Sequence, residues 1–414
     1  MSRAPAFLLT RVACYGGYVV QALVNLYPPL LFVAFRQEFG LSYGQLTAIV
    51  AMNFCTQIAT DLLATPFVMR FGYRWMAVAA MAFDLAGILG LSLFTATFAS
   101  PYTGLLTAMS LCAVGGGLME VLVSPIVLSI PSKNKVTEMN FLHSAYCWGC
   151  VLVILVSILL FSVFGIEHWR GISFVWAVLP VSIGILFAIV PIATPEDSDT
   201  PCLGLRALFS SKAFFLLLLL MLCAGASELA VSQWASFFAE LGLGVPKSTG
   251  DLLGPCAFAV LMGTSRVWYG FQSERIRLET GLLLTSLMCV ASYALIVFSP
   301  WPILSLAGCA LCGLSVGIMW PGVFGLATRL LPAGGTLMFS FLAFTGDVGC
   351  FAGPATIGLV SGALRDAGRG IFGWFGANPD TAALKSGMLV AAIFPVVLAI
   401  AMALFRQAGK GRKA

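Results

Sequence analysis

This sequence predicts an all-α membrane protein of about twelve spanning helices in two six-helix halves, and three observations lead there. Of the 414 residues, 60% are hydrophobic and only 9% charged, against roughly 45–50% and 25% in soluble globular chains. Apolar segments of about 20 residues recur from end to end, long enough to cross a hydrocarbon core as helices and unlike the alternating ten-residue strands of a barrel. Basic residues gather in alternate loops, as they do where one side of a membrane is the inside.

The expected spans are 8–35, 44–69, 75–97, 102–130, 138–165, 171–193, 213–240, 249–273, 278–298, 301–331, 335–363 and 383–406. The first is expected to be kept as a helix, because no A-x-A-like cleavage site follows it. With both termini inside, Arg70, Arg74, Lys133, Lys135, Arg206, Lys212, Arg275, Arg277, Arg329 and the tail "RQAGKGRKA" become cytoplasmic, while the outer loops keep Arg36, Arg170, Lys247, Arg365, Arg369 and Lys385. That distribution suits a cytoplasmic or plasma membrane and an even number of spans. The net charge of +5 therefore reflects topology and gives no ground for nucleic-acid binding.

A polar stretch, "TPEDSDTPCLGLRALFSSK" at 194–212, divides the chain into an N-terminal bundle (1–193) and a C-terminal bundle (213–414) with a basic tail. The halves echo one another: "TPFVMRFGYR" after the second span faces "GFQSERIRL" after the eighth, matching Thr65 with Gly270, Met69 with Glu274 and Arg70 with Arg275. The twelve cysteines lie mostly inside expected helices, and Cys147/Cys150 and Cys309/Cys312 read as small packing residues rather than redox or metal sites. No cofactor is expected.

Ionisable groups at membrane depth cost about 2.5–3.5 kcal/mol each on insertion scales, so Asp61, Asp84, Glu120, Glu228, Arg266 and Asp347 stand out. Asp61 continues a stripe of Asn53, Gln57 and Thr60, while Tyr18, Gln21 and Asn25 form another in helix one, and Asn140, His143, Ser144 and Cys147 a third in helix five. Polar faces on several helices imply an aqueous cavity rather than lipid contact. Isolated Ser, Thr and Cys are read as interhelical glue, and Asp84 as structural.

The loop pair resembles the G-x-x-x-D-R-x-G-R-[RK] signature of the major facilitator superfamily. Its first copy is degenerate, with Met69 in place of the acid, but it retains Arg70, Gly72 and Arg74; the second keeps Gly270, Glu274 and Arg275. "GGGLMEVLVSPIVLSI" followed by "NFLHSAYCWG" is similar to the fucose permease branch, the fucose–galactose–glucose:proton symporters, with "EFGLS", "RFGYR" and "GLSVGIMWPGVFGLA" as further counterparts. The resemblance implies a proton symporter of a monosaccharide or similar solute working by alternating access. Glu120 would be its protonatable residue, Asn140 and His143 polar contacts, and Glu228 the acid of a helix-seven E-x-x-x-x-x-W pattern; the acid that the branch carries near the end of helix one falls at Pro29.

Asn25, Gln57, Asn140, His143, Trp234 and Trp320 offer the planar amides and aromatic faces that sugars favour. The gate set comprises Asp61, Arg70, Gly72, Arg74, Arg266, Gly270, Glu274, Arg275 and Asp347, with the Trp320–Pro321 break in helix ten as a flexible point. Asp61 and Arg266 occupy matching places in the two repeats, and each is expected to pair across the two halves in one conformation only. Two alternatives keep the fold: a proton-antiport exporter of drugs or organic solutes, which the polar stripes disfavour, and a sodium-coupled symporter with Asp61 and Glu120 as ion ligands. An intramembrane enzyme is disfavoured, since there is no H-E-x-x-H and the histidines are His143 and His168 alone.

Overall fold

The computed structural model describes residues 7–131, 135–192, 204–272, 277–366 and 378–411, all helix, turn or coil with no strand among them. Ten helices there are long and apolar enough to cross a membrane, or eleven when the bent pair α1 (Leu8–Leu30) and α2 (Phe32–Phe39) is taken as one span. The chain forms two compact units, Met1–Ser198 and Asp199–Ala414. Most of the expected linker lies outside the described residues; its end carries the short helix α8 (Leu205–Phe209).

In the first unit, Pro28 and Pro29 remove two helical donors at the end of α1, and the chain bends by 46° into α2. A capping box then starts α3 (Tyr43–Thr97): the Gln45 amide N–H donates to Ser42 Oγ at 3.2 Å, and Ser42 N–H to Gln45 Oε1 at 2.9 Å. The 55 residues of α3 hold both the second and third expected spans, parted at Gly72. Its φ of 78° is a conformation open to glycine and costly for a side chain, which explains why this glycine of the loop signature is present. Beyond it follow α4 (Pro101–Ser129), α5 (Lys135–Phe164), α6 (Trp169–Trp176) and α7 (Val178–Ile189). α1 packs on α4, α5 and α7, and α3 on α4, α6 and α7. The core between them is built from residues such as Ala13, Met81, Met119, Leu122 and Phe187. Arg11 of α1 ties to Glu138 of α5 in a two-pronged pair at 2.9 and 3.0 Å, and Arg74 donates to the Ala188 carbonyl of α7.

The second unit holds α9 (Lys212–Phe237), α10 (Lys247–Asp251), α11 (Ala257–Gln272), α12 (Leu278–Phe298), α13 (Pro302–Val316), α14 (Met319–Leu330), α15 (Gly335–Asp366), α16 (Pro379–Ala391) and α17 (Ile393–Gly411). α9 is central, packing on α13, α14, α15 and α17. The eighth expected span, 249–273, is segmented: α10, a π turn at Leu252–Cys256 and the 16-residue α11. Pro255 lies in that π turn, and Lys247 of α10 holds the buried Asp251 at 3.0 Å and Ser236 Oγ at 2.6 Å.

Helix ten breaks at Gly317 and Ile318, between α13 and α14, not at the expected Trp320–Pro321. With Ile318 as N-cap, Pro321 sits in the first turn of α14, where a backbone N–H has no helical partner, so proline is accommodated without a kink of its own. Large apolar side chains such as Leu62, Phe67, Leu159, Val163, Ile189 and Leu359 are more than half exposed. So much outward apolar surface suits hydrocarbon and not water.

Candidate functional site

The triple glycine of α4, placed just before a carboxylate, is explained by packing. A Cβ at Gly115 would fall 2.1 Å from Asp84 Oδ1, and one at Gly117 would fall 2.9 Å from Asp61 Oδ1 and 3.1 Å from the Gln57 carbonyl. The glycines thus let α4 lie against two carboxyl-bearing stretches of α3. Asp84 is fully buried, and neither of its oxygens has a hydrogen-bond partner among the described residues. A Gly115→Val variant is expected to lose most folded protein in detergent, since backbone and a buried side chain must both yield. Asp84→Asn is expected to keep or raise the thermal midpoint, because it removes an expensive ionisable group. Thermal denaturation of the purified variants checks both.

One turn along, α4 carries Glu120, which remains partly open. Gln21 Nε2 of α1 donates to its Oε2 at 2.9 Å, and Gln57 Nε2 of α3 to the same oxygen at 2.8 Å. Oε1 takes no hydrogen bond from the described residues. Next along these helices Asn53 Nδ2 donates to Asn25 Oδ1 at 3.0 Å, and all four amides are at most 7% exposed. The His143 ring of α5 lies 5.6 Å from that of Tyr18. Asn140 is on the same helix, its side chain outside the described set. The stripes on α1 and α3 therefore meet each other and Glu120 in the N-terminal unit.

The C-terminal unit has its own buried cluster. Arg266 Nη2 of α11 lies 3.3 Å from both carboxylate oxygens of Glu228 on α9, and Arg266 Nε donates to the Gly317 carbonyl at 3.0 Å. That carbonyl belongs to the C-cap of α13, where a helix end leaves its carbonyls without helical donors, and the arginine supplies one. Arg266 thus pairs inside its own unit, a partnership that the expectation for it does not include. Trp320 lies on Gly346 of α15, where a Cβ would fall 2.3 Å from the indole, and it keeps part of its surface open. Trp234 is sealed instead: it is 0% exposed, and its Nε1 donates to the Pro354 carbonyl at 3.0 Å.

Asp347 is buried on α15, Arg70 is exposed beside the Phe71 ring, and Gly270 lies near the end of α11. Glu274 and Arg275 lie outside the described residues. Gln21 and Asn53 belong to the polar stripes but not to the expected site; hydrogen-bonding to an acidic or amide neighbour on another helix is what singles them out. The two units also share letters at a spacing of 200: Gly117 and Met119, inside the continuous α4, match Gly317 and Met319 at the helix-ten break, and Glu120 falls where Trp320 stands in the second copy.

Among solved structures, the chain is similar to a bacterial homologue of the human lysosomal transporter Spinster, with a TM-score of 0.73, 15% identity and 98% of each chain covered. A D-xylose-proton symporter matches with a TM-score of 0.74 at 13% identity, over 94% of this chain and 97% of that one. A variant of the E. coli fucose:proton symporter matches with a TM-score of 0.60 at 15% identity, over 95% of this chain and 99% of that one. At these identities the likeness is one of fold. A curated relative, membrane protein MosC of Rhizobium meliloti, is 24% identical over 306 residues, covering 73% of this chain and 71% of that protein. The sequence pattern of the Major Facilitator Superfamily matches residues 14–354, and with these helices around two buried polar clusters the chain belongs to that superfamily of membrane transporters.

Proposed function

We propose that the protein is a proton-coupled symporter of a monosaccharide or similar small polar solute, of the fucose permease kind, with Glu120 as its coupling residue. The observation that carries the reading is Glu120 itself: one carboxylate oxygen is held by two buried amides, while the other takes no hydrogen bond from the described residues. Asn25, Gln57 and His143 are the proposed solute contacts of the N-terminal unit, with Asn140 carried over from the sequence. Within the C-terminal unit the proposed contacts are Glu228, an acid held by Arg266, and Trp320, an aromatic face. Sugars are bound by such sets of planar amides and aromatic faces. The solved symporters of xylose and fucose lend the reading a precedent in the same fold.

Asp61, Arg70, Gly72, Arg74, Arg266, Gly270, Glu274, Arg275 and Asp347 are assigned to gating, and the membrane is the cytoplasmic one with both termini inside. Protein in liposomes tests the reading. A panel of monosaccharides and polyols, screened first by the rise in thermal midpoint that a ligand of the folded state produces, identifies the solute. Uptake of that solute is expected to increase as external pH falls from roughly pH 8 toward roughly pH 6, to collapse with an uncoupler and to persist when choline replaces sodium. Uptake that vanishes in choline at constant pH would defeat the proton assignment and make Asp61 an ion ligand.

A further inference from the structure

Two amide donors converge on a single oxygen of Glu120, and this asymmetry decides where a proton can sit. Oε2 has two lone pairs available for donors, and Gln21 and Gln57 direct an N–H at it from 2.9 and 2.8 Å. A proton placed on Oε2 would meet those N–H groups head on. A proton on Oε2 is accommodated only if one buried amide turns its carbonyl oxygen to accept it while the other N–H keeps the remaining lone pair, a rearrangement that a proton on Oε1 does not require. Oε1 takes no hydrogen bond from the described residues and has no such obstacle.

We propose that Gln21 and Gln57 are positioning residues for proton coupling: by holding Oε2 as an acceptor they confine the transported proton to Oε1, the oxygen that meets the solute. This rests on the reading of Glu120 as the coupling residue. The loaded carrier then presents Oε1–H as a donor, and the solute group opposite it must be an acceptor, that is a hydroxyl, ether or carbonyl oxygen. An ammonium, which has only donors, is refused by the protonated acid. On release the O–H bond breaks, its electron pair stays on Oε1 and the proton passes to water. Oε1 then turns lone pairs toward the solute's oxygen, and an ether or carbonyl is expelled. A hydroxyl can stay by turning its own hydrogen to the carboxylate, so this step couples binding to protonation through an ether or carbonyl oxygen of the solute.

The titratable groups carried by the helices against α4 at this level are Tyr18 of α1, Asp61 and Asp84 of α3 and His143 of α5; both aspartates lie on the glycine seam. They are left unchanged in the test. Gln21→Met and Gln57→Met keep the length of the side chain and remove the donor, which favours the carboxylate more than the neutral acid. Each is expected to move the pH of half-maximal proton-driven uptake upward by about one unit, and both together further. Solute counterflow at low pH is expected to persist in Gln21→Met, since Gln21 is not among the residues assigned to the solute. Gln21→Ala and Gln57→Ala leave space for a water donor and are expected to shift it less.

A wild-type midpoint in both Met variants, or loss of counterflow at every pH in both Gln21→Met and Gln21→Ala, would overturn the proposal; the latter result would make Gln21 a solute ligand. The underlying reading fails by a different sign: a Glu120→Gln protein that retains wild-type pH dependence.

Discussion

Glu120→Gln protein, reconstituted in liposomes, should exchange solute across the membrane and yet fail to accumulate it against a gradient. Gln preserves the size of the side chain and its place beside Gln21 and Gln57, and its carbonyl oxygen can still accept their N–H groups. It has no proton to release, so the link between solute and proton is cut while the binding surface remains. Counterflow of preloaded solute is expected within about tenfold of wild type, a difference of about 1.4 kcal/mol, with proton-driven accumulation reduced to background. Radiolabelled uptake with and without an imposed pH gradient measures both. Accumulation at the wild-type level would remove Glu120 from the mechanism and place the coupling group elsewhere.

The second large effect is expected at the Glu228–Arg266 pair, where the side chains are 9% and 12% exposed and 3.3 Å apart. Removing one partner of a buried ion pair leaves a bare charge and costs about 3–5 kcal/mol, whereas replacing both by uncharged side chains of similar volume is often neutral or stabilising. Arg266→Met also strips the Gly317 carbonyl of its donor at the helix-ten break. Arg266→Met and Glu228→Gln should each lower the thermal midpoint, Arg266→Met by more, and the double variant should recover part of the loss. A double variant as unstable as the sum of the singles would show that the two residues act separately. If Arg266 serves the gate as assigned, the Met variant should in addition shift the inward–outward population reported by a conformational probe more than it alters solute affinity.

The fold was legible because hydrocarbon imposes a simple grammar: each span needs about 20 apolar residues with every backbone group satisfied internally. Composition and loop charges expressed that directly, and the paired loop signatures pointed to the family that the match over residues 14–354 establishes. The polar stripes were equally legible. Gln21 and Asn25 lie one helical turn apart on α1, and Asn53 and Gln57 on α3, so each pair must share a face.

Which face meets which is not written in any single helix. That Gln21 and Gln57 converge on one oxygen of Glu120, that Asn53 reaches Asn25, and that Trp234 is sealed while Trp320 stays partly open all depend on the relative rotation of helices far apart in sequence. The break in helix ten shows the same division. Pro321 marks a missing backbone donor from the sequence alone, but its first-turn position in α14 and the arginine that bonds the Gly317 carbonyl at the end of α13 come from the packing of α11 against α13. Sequence therefore determined most of the segments long and apolar enough to cross a membrane, the segmented eighth expected span being the exception, and which residues of a helix share a polar face, since these follow from local transfer energies and the helical period. The tertiary structure decided the partners, since a hydrogen bond fixes an atom to a few tenths of an ångström and only the assembled bundle sets distances on that scale.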